Sequence, residues 1–556
     1  MHGRRRVLAL LATIAIGWAS AGALRAIAQP PTGQPEPTAD ALRAIVGAAH
    51  IDGMRWPRFP DYQRILEALY GPRSYAPLWL DAGQPTPQAR EAIAVLLEAG
   101  AKGLDPRDYD AEKLDQASRT LGASASTQEQ ARFDAMLSVG LLRNISDLHI
   151  GRVNPKHLAF GFDIDPKKYD LAALVAGAVR DGRVREVVKQ AEPHFPQNRL
   201  LEEQLARYRE IAADPSLAPV QIAAPSKPGA PLAPAPELAR WLAALGDMPA
   251  SAAPSPGVYD GPLVEGVKHF QARHGLAPDG VIGKGTAREL AVPASLRVEQ
   301  IELALERLRW IPALESGRAV FVNVPAFELW AFDDIAADQR PSVQMIVVVG
   351  RALRHETPIF TGAMKTVVFA PYWNVPRSIT RNEILPKLRK SPGYLAAQQM
   401  EIVSGGQVLP PTAASIEKLA SGAAQLRQRP GPKNALGRVK FLFPNSNNVY
   451  LHDTPSQAPF AEARRDFSHG CIRLSQPAAL AEWVLRGAPG WDADRVAREM
   501  VRSSELAVPV QPPVPVVIYY TTALARRDGT IAFFDDVYGL DARLERALAR
   551  GYPYPP

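Results

Sequence analysis

Ser468-His469-Gly470-Cys471-Ile472-Arg473-Leu474 holds the single cysteine of a 556-residue chain, and Cys471 follows His452 of Tyr450-Leu451-His452-Asp453-Thr454 by 19 positions. A cysteine with no internal partner is a liability in an oxidising compartment, so its presence points to chemistry rather than packing. Near neutral pH a thiol is only a few per cent thiolate, and a nucleophilic cysteine therefore needs an imidazole or a cationic setting beside it. Two histidines qualify. His452 closes an apolar run, Val449-Tyr450-Leu451, that reads as a strand, while His469 stands two residues from Cys471 and shares its face in an extended segment. Spacing alone does not choose the base.

Around this stretch, Ala319 to Val324, Met345 to Val349, Val367 to Phe369 and Val516 to Tyr520 are β-branched or aromatic runs bounded by Gly, Pro or Asp, the pattern of strands. A mainly β domain is expected over residues 297–540, entered by a helix from Arg297 to Trp310. Residues 382–428 interrupt it with a helical stretch too long for a simple loop, which reads as a flap. Residues 541–556 read as a C-terminal tail.

Towards the N-terminus, Arg4, Arg5 and Arg6 precede an apolar run from Val7 to Leu24. This is the pattern of a secretory signal over residues 1–28, with cleavage before Gln29 or nearer Ala21-Gly22-Ala23. The run is also close to the length of a spanning helix, so a retained anchor is the alternative, and the clustered arginines permit a twin-arginine route. Each option exports the rest of the chain. Residues 29–38 are Pro/Gly-rich and read as a disordered tether. Residues 39–216 carry amphipathic helical segments and read as a helical scaffold, with Trp79 and Tyr75 assigned to its core. Residues 217–237 are rich in Pro and Ala and read as a semi-rigid linker.

Residues 238–293 follow as a small helical module. Leu263, Val267 and Phe270 recur at helical spacing, Pro278-Asp279-Gly280 makes a turn, and Thr286 with Glu289 reads as a capping box. His269 and His274 lie five apart, too far round a helix for a metal pair, and are expected at the surface.

Composition, 46% hydrophobic and 22% charged over this length, suits a folded protein of three or four domains. The formal charge of +7 falls to +3 without the four leader arginines, and no dense Lys/Arg tract accompanies aromatic residues, which argues against a nucleic-acid partner. A mildly cationic surface suits a polymer bearing free carboxylates, as it does any soluble protein.

Two resemblances add to this reading. Val267-Lys268-His269-Phe270-Gln271-Ala272-Arg273-His274-Gly275-Leu276, with Asp279-Gly280-Val281-Ile282-Gly283-Lys284-Gly285-Thr286, resembles the three-helix peptidoglycan-binding module of cell-wall enzymes. His452, a spacer and Ser468-His469-Gly470-Cys471 are similar to the signature of the YkuD-type L,D-transpeptidase catalytic domain, a β-sandwich. Further matches are Phe369-Ala370-Pro371-Tyr372-Trp373-Asn374-Val375-Pro376 and Pro430-Gly431-Pro432-Lys433-Asn434-Ala435-Leu436-Gly437. The order of domains resembles the long, multi-domain periplasmic branch of that family, so the expected fold class is multi-domain α+β.

The resemblance implies Cys471 as nucleophile and His452 as general base, with the imidazole oriented by a backbone carbonyl, that of Asp453. It implies that His469 and Ser468 shape the site, that Gly470 permits close backbone approach, and that N–H groups around Gly470 and Cys471 stabilise an oxyanion. Arg473 stands where some members carry another polar residue and is read as a carboxylate-binding or site-organising group, or as half of a structural ion pair. Tyr372, Trp373 and Asn374 are expected near the root of the flap, with Trp373 as readily a core residue.

The implied reaction joins two stem peptides of peptidoglycan by a 3→3 cross-link through a cysteine thioester, releasing a terminal D-alanine, with no metal or organic cofactor. Water as acceptor would make the enzyme an L,D-carboxypeptidase, and a protein lysine would make it an anchoring enzyme. Implied partners are peptidoglycan stem peptides and other cell-wall synthesis proteins, with membrane contact only through an N-terminal anchor. Ser415-Ile416-Glu417-Lys418 matches the Ser-x-x-Lys of penicillin-binding proteins, but no Lys-Thr-Gly or Ser-Asp-Asn accompanies it. A papain-like protease would place its nucleophile before the histidine, the reverse of this order. The non-enzymatic alternative is a peptidoglycan-binding scaffold with a decayed site.

Overall fold

The 24-residue helix Thr127–Ile150 is buried along most of its length, and its buried set includes Asp134, Arg143, Asn144 and Asp147 beside the apolar residues, so it is stable only when surrounded by partners. Ser126 starts it with a capping box, its Oγ accepting from the Glu129 N–H while Glu129 Oε2 accepts from the Ser126 N–H at 2.8 Å. The computed structural model, which describes residues 37–552 except 253–256, 313, 315, 338–339 and 392, places this helix at the centre of a helical domain. Its buried Asp134 accepts from the Tyr70 hydroxyl and from the N–H groups of Leu78 and Trp79, which fixes the fully buried Trp79 in the core. The expected leader and most of the expected tether lie outside the described residues. Among the described residues no helix is long and apolar enough to cross a membrane.

Helices Ala235–Leu245, Gly261–Arg273 and Lys284–Leu290 form the small module. Thr286 does not cap the last of these, which starts after Gly283; its hydroxyl accepts from the Gln271 side chain, while Glu289 pairs with Arg297 at 2.6 Å. Nor is His274 at the surface: it is buried against the Phe270 ring, with Nδ1 2.7 Å from the Phe270 carbonyl, and burial holds it well below the usual imidazole range. The segment read as a linker is bound to this module. Ser226 and Ile282 exchange backbone hydrogen bonds at 2.9 and 3.1 Å, Tyr259 donates to Ala230 O, and Leu232 and Val220 are buried. Its few free N–H groups and apolar side chains found partners that a composition-based reading ignores.

The C-terminal part is built on one sheet. Its strands are β1 (Ala319–Asn323), β2 (Glu328–Phe332), β3 (Val343–Gly350), β4 (Phe360–Phe369), β5 (Val439–Leu442), β6 (Leu451–His452), β7 (Asp466–Ser468), β8 (Ile472–Leu474) and β9 (Leu506–Tyr519). They lie in the order β7-β3-β8-β6-β5-β4-β9-β1-β2, and β2 pairs in turn with β3, so the sheet curls until it closes on itself. Alternation sets the two faces: Val439, Phe441, Leu451, Ile472 and Leu474 are fully buried inside, while Lys440 and Arg473 between them point outward. This interior is continuous with helix Ala294–Trp310, with the small module and with Val153, Leu158, Phe160 and Phe162, whereas residues 41–148 and 172–191 enclose a separate core.

The insertion expected to be helical is mainly helical, but it also carries a small sheet. Trp373–Asn374, Gln425–Gln428, Met400–Ser404 and Gln407–Leu409 form a four-stranded sheet beside short helices, around a core of Val375, Ile384, Leu385, Leu388, Ile402, Leu419 and Leu426. Short hairpins of mixed polarity carry too weak a period-2 signal to stand out from the helical segments around them. The expected tail is also structured. Residues Leu540–Leu548 form a helix whose Asp541 meets Arg307 at 2.5 Å, both buried, and the Tyr552 hydroxyl reaches Asp147 of the helical domain.

Candidate active site

Strands β6 and β8 run parallel with Leu451 opposite Ile472 and His452 opposite Arg473. Side chains two apart share a face, so Tyr450, His452, Cys471 and Arg473 all stand on the outward face, on strands about 4.8 Å apart. Their interleaved neighbours Leu451 and Ile472 are in the core. The hydrophobic alternation of two short strands therefore brings together residues that are 19 positions apart in the chain.

His452 is buried, and its Nδ1 lies 2.5 Å from the Asp453 carbonyl oxygen. A carbonyl only accepts, so Nδ1 carries the proton and Nε2 keeps its lone pair. Burial, reinforced by Arg473, lowers the imidazole to about 3 against the opposing pull of the Asp453 carbonyl. Cys471 is half-buried, with Sγ 3.8 Å from the Asn448 carbonyl. Burial pushes its thiol up, opposed by the backbone and hydroxyl of Tyr450 and by Arg473. The resting pair is thus a neutral thiol and a neutral imidazole.

The loop carrying Cys471 is fixed from behind. The Ser468 hydroxyl donates to Cys471 O at 2.5 Å and accepts from the Gly470 N–H at 3.1 Å. Thr357 Oγ1 donates to Gly470 O and accepts from the Gly350 N–H, both at 2.8 Å. The Tyr538 hydroxyl accepts from the Thr357 N–H and donates to Gly350 O at 2.6 Å. Gly350 lets this turn fold back, because a Cβ there would run into the His355 carbonyl. Gly470 is needed for a different reason from the one expected: its φ of 112° is open to glycine alone, while a Cβ would meet nothing nearer than 3.9 Å. Its N–H is committed to the Ser468 hydroxyl.

His469 points to the flap, where Nε2 pairs with Glu383 at 2.8 Å, and its ring lies 4.8 Å from that of His355. The Asp453 carboxylate accepts from the N–H groups of Arg438 and Thr454 and so holds the turn before β5. Arg473 is half-buried, and among the described residues its guanidinium has no hydrogen-bond or ion-pair partner. Tyr372 sits at the flap root, with Arg427 stacked 4.4 Å over its ring, and Asn374 pairs with Arg427 in the flap sheet. Trp373 packs on the flap core.

Sequence reasoning missed Tyr450 as a site residue, although its place two before His452 was the signal. It also missed Lys440, which only the pairing of β5 with β6 sets opposite His452. An aromatic cavity lined by Phe321, Trp330, Phe332 and Tyr519 lies elsewhere on the sheet and borders none of these groups.

A family model described as L,D-transpeptidase catalytic domain matches residues 317–497, a Scaffold domain model matches residues 64–205, and one described as "Putative peptidoglycan binding domain" matches residues 235–290. A protein of Haemophilus influenzae named "Putative L,D-transpeptidase" is 30% identical over 252 residues, 45% of this chain and 49% of that one, so the chain spans about half the length of that relative. A crystal structure of an L,D-transpeptidase (residues 123–326) from Xylanimonas cellulosilytica aligns at 16% identity with 54% of this chain and 100% of that one. Its TM-score of 0.17 is too low to support a comparison of folds.

Proposed function

On the premise that residues 317–497 are a YkuD-type L,D-transpeptidase catalytic domain, joined to a peptidoglycan-binding domain, we propose that this chain is an exported, cysteine-dependent enzyme that forms 3→3 cross-links between peptidoglycan stem peptides. The observation that carries this reading is the outward row of Tyr450, His452, Cys471 and Arg473, with the His452 Nε2 lone pair free and the nucleophile loop held from behind. Export to the periplasm, by a cleaved signal or an anchor, rests on the N-terminal thirty residues.

In the first step Cys471 Sγ attacks the carbonyl between the third residue of a tetrapeptide stem, meso-diaminopimelate, and the terminal D-alanine. His452 Nε2 takes the thiol proton as the S–C bond forms. The oxyanion faces the Cys471 N–H, one such donor being worth about 3 kcal/mol. Collapse breaks the C–N bond, and His452 returns the proton to the departing amine. In the second step the side-chain amine of another stem attacks the thioester, His452 accepts its proton, and the thiolate leaves and is reprotonated. A neutral resting pair suits this cycle, because the proton moves only as each bond forms. The Arg473 guanidinium, which has no hydrogen-bond or ion-pair partner among the described residues, offers its fork to a substrate carboxylate.

Mass spectrometry of muropeptides after incubation with tetrapeptide-rich peptidoglycan tests the proposal. New 3→3 dimers, absent with Cys471→Ala, are the expected result. Tripeptide monomers alone would make the enzyme a carboxypeptidase, and no product would leave a binding scaffold.

A further inference from the structure

Register across the sheet continues beyond His452. Lys440 of β5 pairs with His452 of β6, which pairs with Arg473 of β8, so the three stand in one row on the outward face with the histidine in the middle. Their buried neighbours Val439, Phe441, Ile472 and Leu474 confirm which way each points. Lys440 is an unusual cation for a sheet surface. Its side chain is only 16% exposed, yet among the described residues its ammonium has one carboxylate nearby, Glu505 at 3.8 Å, and one hydrogen bond, to Tyr372 O at 3.5 Å. An ammonium has three donors to satisfy, and both contacts are at the outer limit of useful geometry. Burial pulls its pKa down against the field of Glu505, which reflects the same shortage of partners. Arg473, on the other side, has no partner among the described residues. Two under-satisfied cations therefore flank the imidazole, two strand spacings or about 10 Å apart.

We propose that Lys440 is a specificity-determining residue of this active site, which binds a carboxylate of the donor stem peptide on one side of His452 while Arg473 binds a second on the other. The inference rests on the transpeptidase reading. That substrate carries carboxylates close to the scissile amide, one on the terminal residue and one on the diaminopimelate side chain. A row of cation, base and cation holds such a chain at two points, with its reacting carbonyl between them. A neutral stem peptide would leave both cations buried without an anion, which is costly and so discriminates against it.

The test uses the purified chain with three disaccharide tetrapeptides: one with both carboxylates free, one with the terminal carboxylate as carboxamide, and one with the side-chain carboxylate as carboxamide. Initial rates of tripeptide and dimer formation are followed for the wild type, Lys440→Gln and Lys440→Arg. With the free acid, Lys440→Gln should raise KM about tenfold or more, with kcat within about threefold, because the contact is made equally in ground and transition states. Lys440→Arg should recover most of the loss. On one of the two carboxamides the wild type and Lys440→Gln should become equal, which identifies the carboxylate bound. An equal loss on all three substrates would assign Lys440 to holding the flap root through Tyr372 and overturn the proposal, as would no loss at all. Wild-type turnover of the free acid is a separate readout: its absence would reject the transpeptidase reading, and this inference with it.

Discussion

The loop that carries Cys471 and the flap that adjoins it are held in opposite ways. Behind the loop, Ser468, Thr357 and Tyr538 form a chain of buried, short hydrogen bonds into the core of the sheet. The flap has its own core, and its link to the loop is the His469–Glu383 pair, in which both side chains are more than 40% exposed. At its root it is clamped, where Asn434, fully buried, donates to the carbonyls of Pro371 and Arg429 and accepts from the Leu436 N–H. The loop of the proposed nucleophile is fixed by interactions that are expensive to break, while the flap meets it through a pair that solvent screens.

The strongest test of this contrast is Cys471→Ala, expected to lower turnover at least about a thousandfold with no change in melting temperature, since the half-buried thiol makes only a long contact. A fall in both would show that the thiol is part of the loop's support. His452→Gln should cost about 10²–10⁴ in turnover.

His452 also gives a pH signature. Its folded value of about 3 lies below the ordinary 6.5, so between those values the unfolded chain binds a proton that the native state refuses, and stability falls as pH drops through that window. Melting temperatures at about pH 7.5 and 4.5 should therefore differ less for His452→Gln than for the wild type. For Cys471, whose thiol is pushed up, alkylation by neutral iodoacetamide should climb only in the alkaline range. A shoulder near pH 6 would instead reveal a resting thiolate–imidazolium pair.

Asn434→Ala leaves two buried carbonyls and one N–H without their partner and should destabilise the domain by about 1–3 kcal/mol, read by chemical denaturation. Hydrogen exchange should rise on both legs of the flap. Glu383→Gln should have the smallest effect, under about 1 kcal/mol on flap opening as read by exchange in residues 377–390, with turnover within about threefold. A tenfold change in turnover would mean that the pair is more than a screened latch.

The sequence alone determined the motifs from which the proposed chemistry is read: a single cysteine in Ser468-His469-Gly470-Cys471, a histidine 19 positions earlier, β-rich runs around them and a helical module before them. These are local patterns, and local patterns survive in a string of residues. It could not show that the linker would be bound along its module, that the flap's helices would pack beside a four-stranded sheet, or that the expected tail would bury Asp541 against Arg307. Nor could it place Lys440 beside His452, because that neighbourhood is created by pairing β5 with β6, and register is decided by which side chains the core accepts. The tertiary structure also set the protonation of the histidine–cysteine pair. His452 and Cys471 are both neutral at rest because the fold removes them from water, and desolvation is a property of the packed chain.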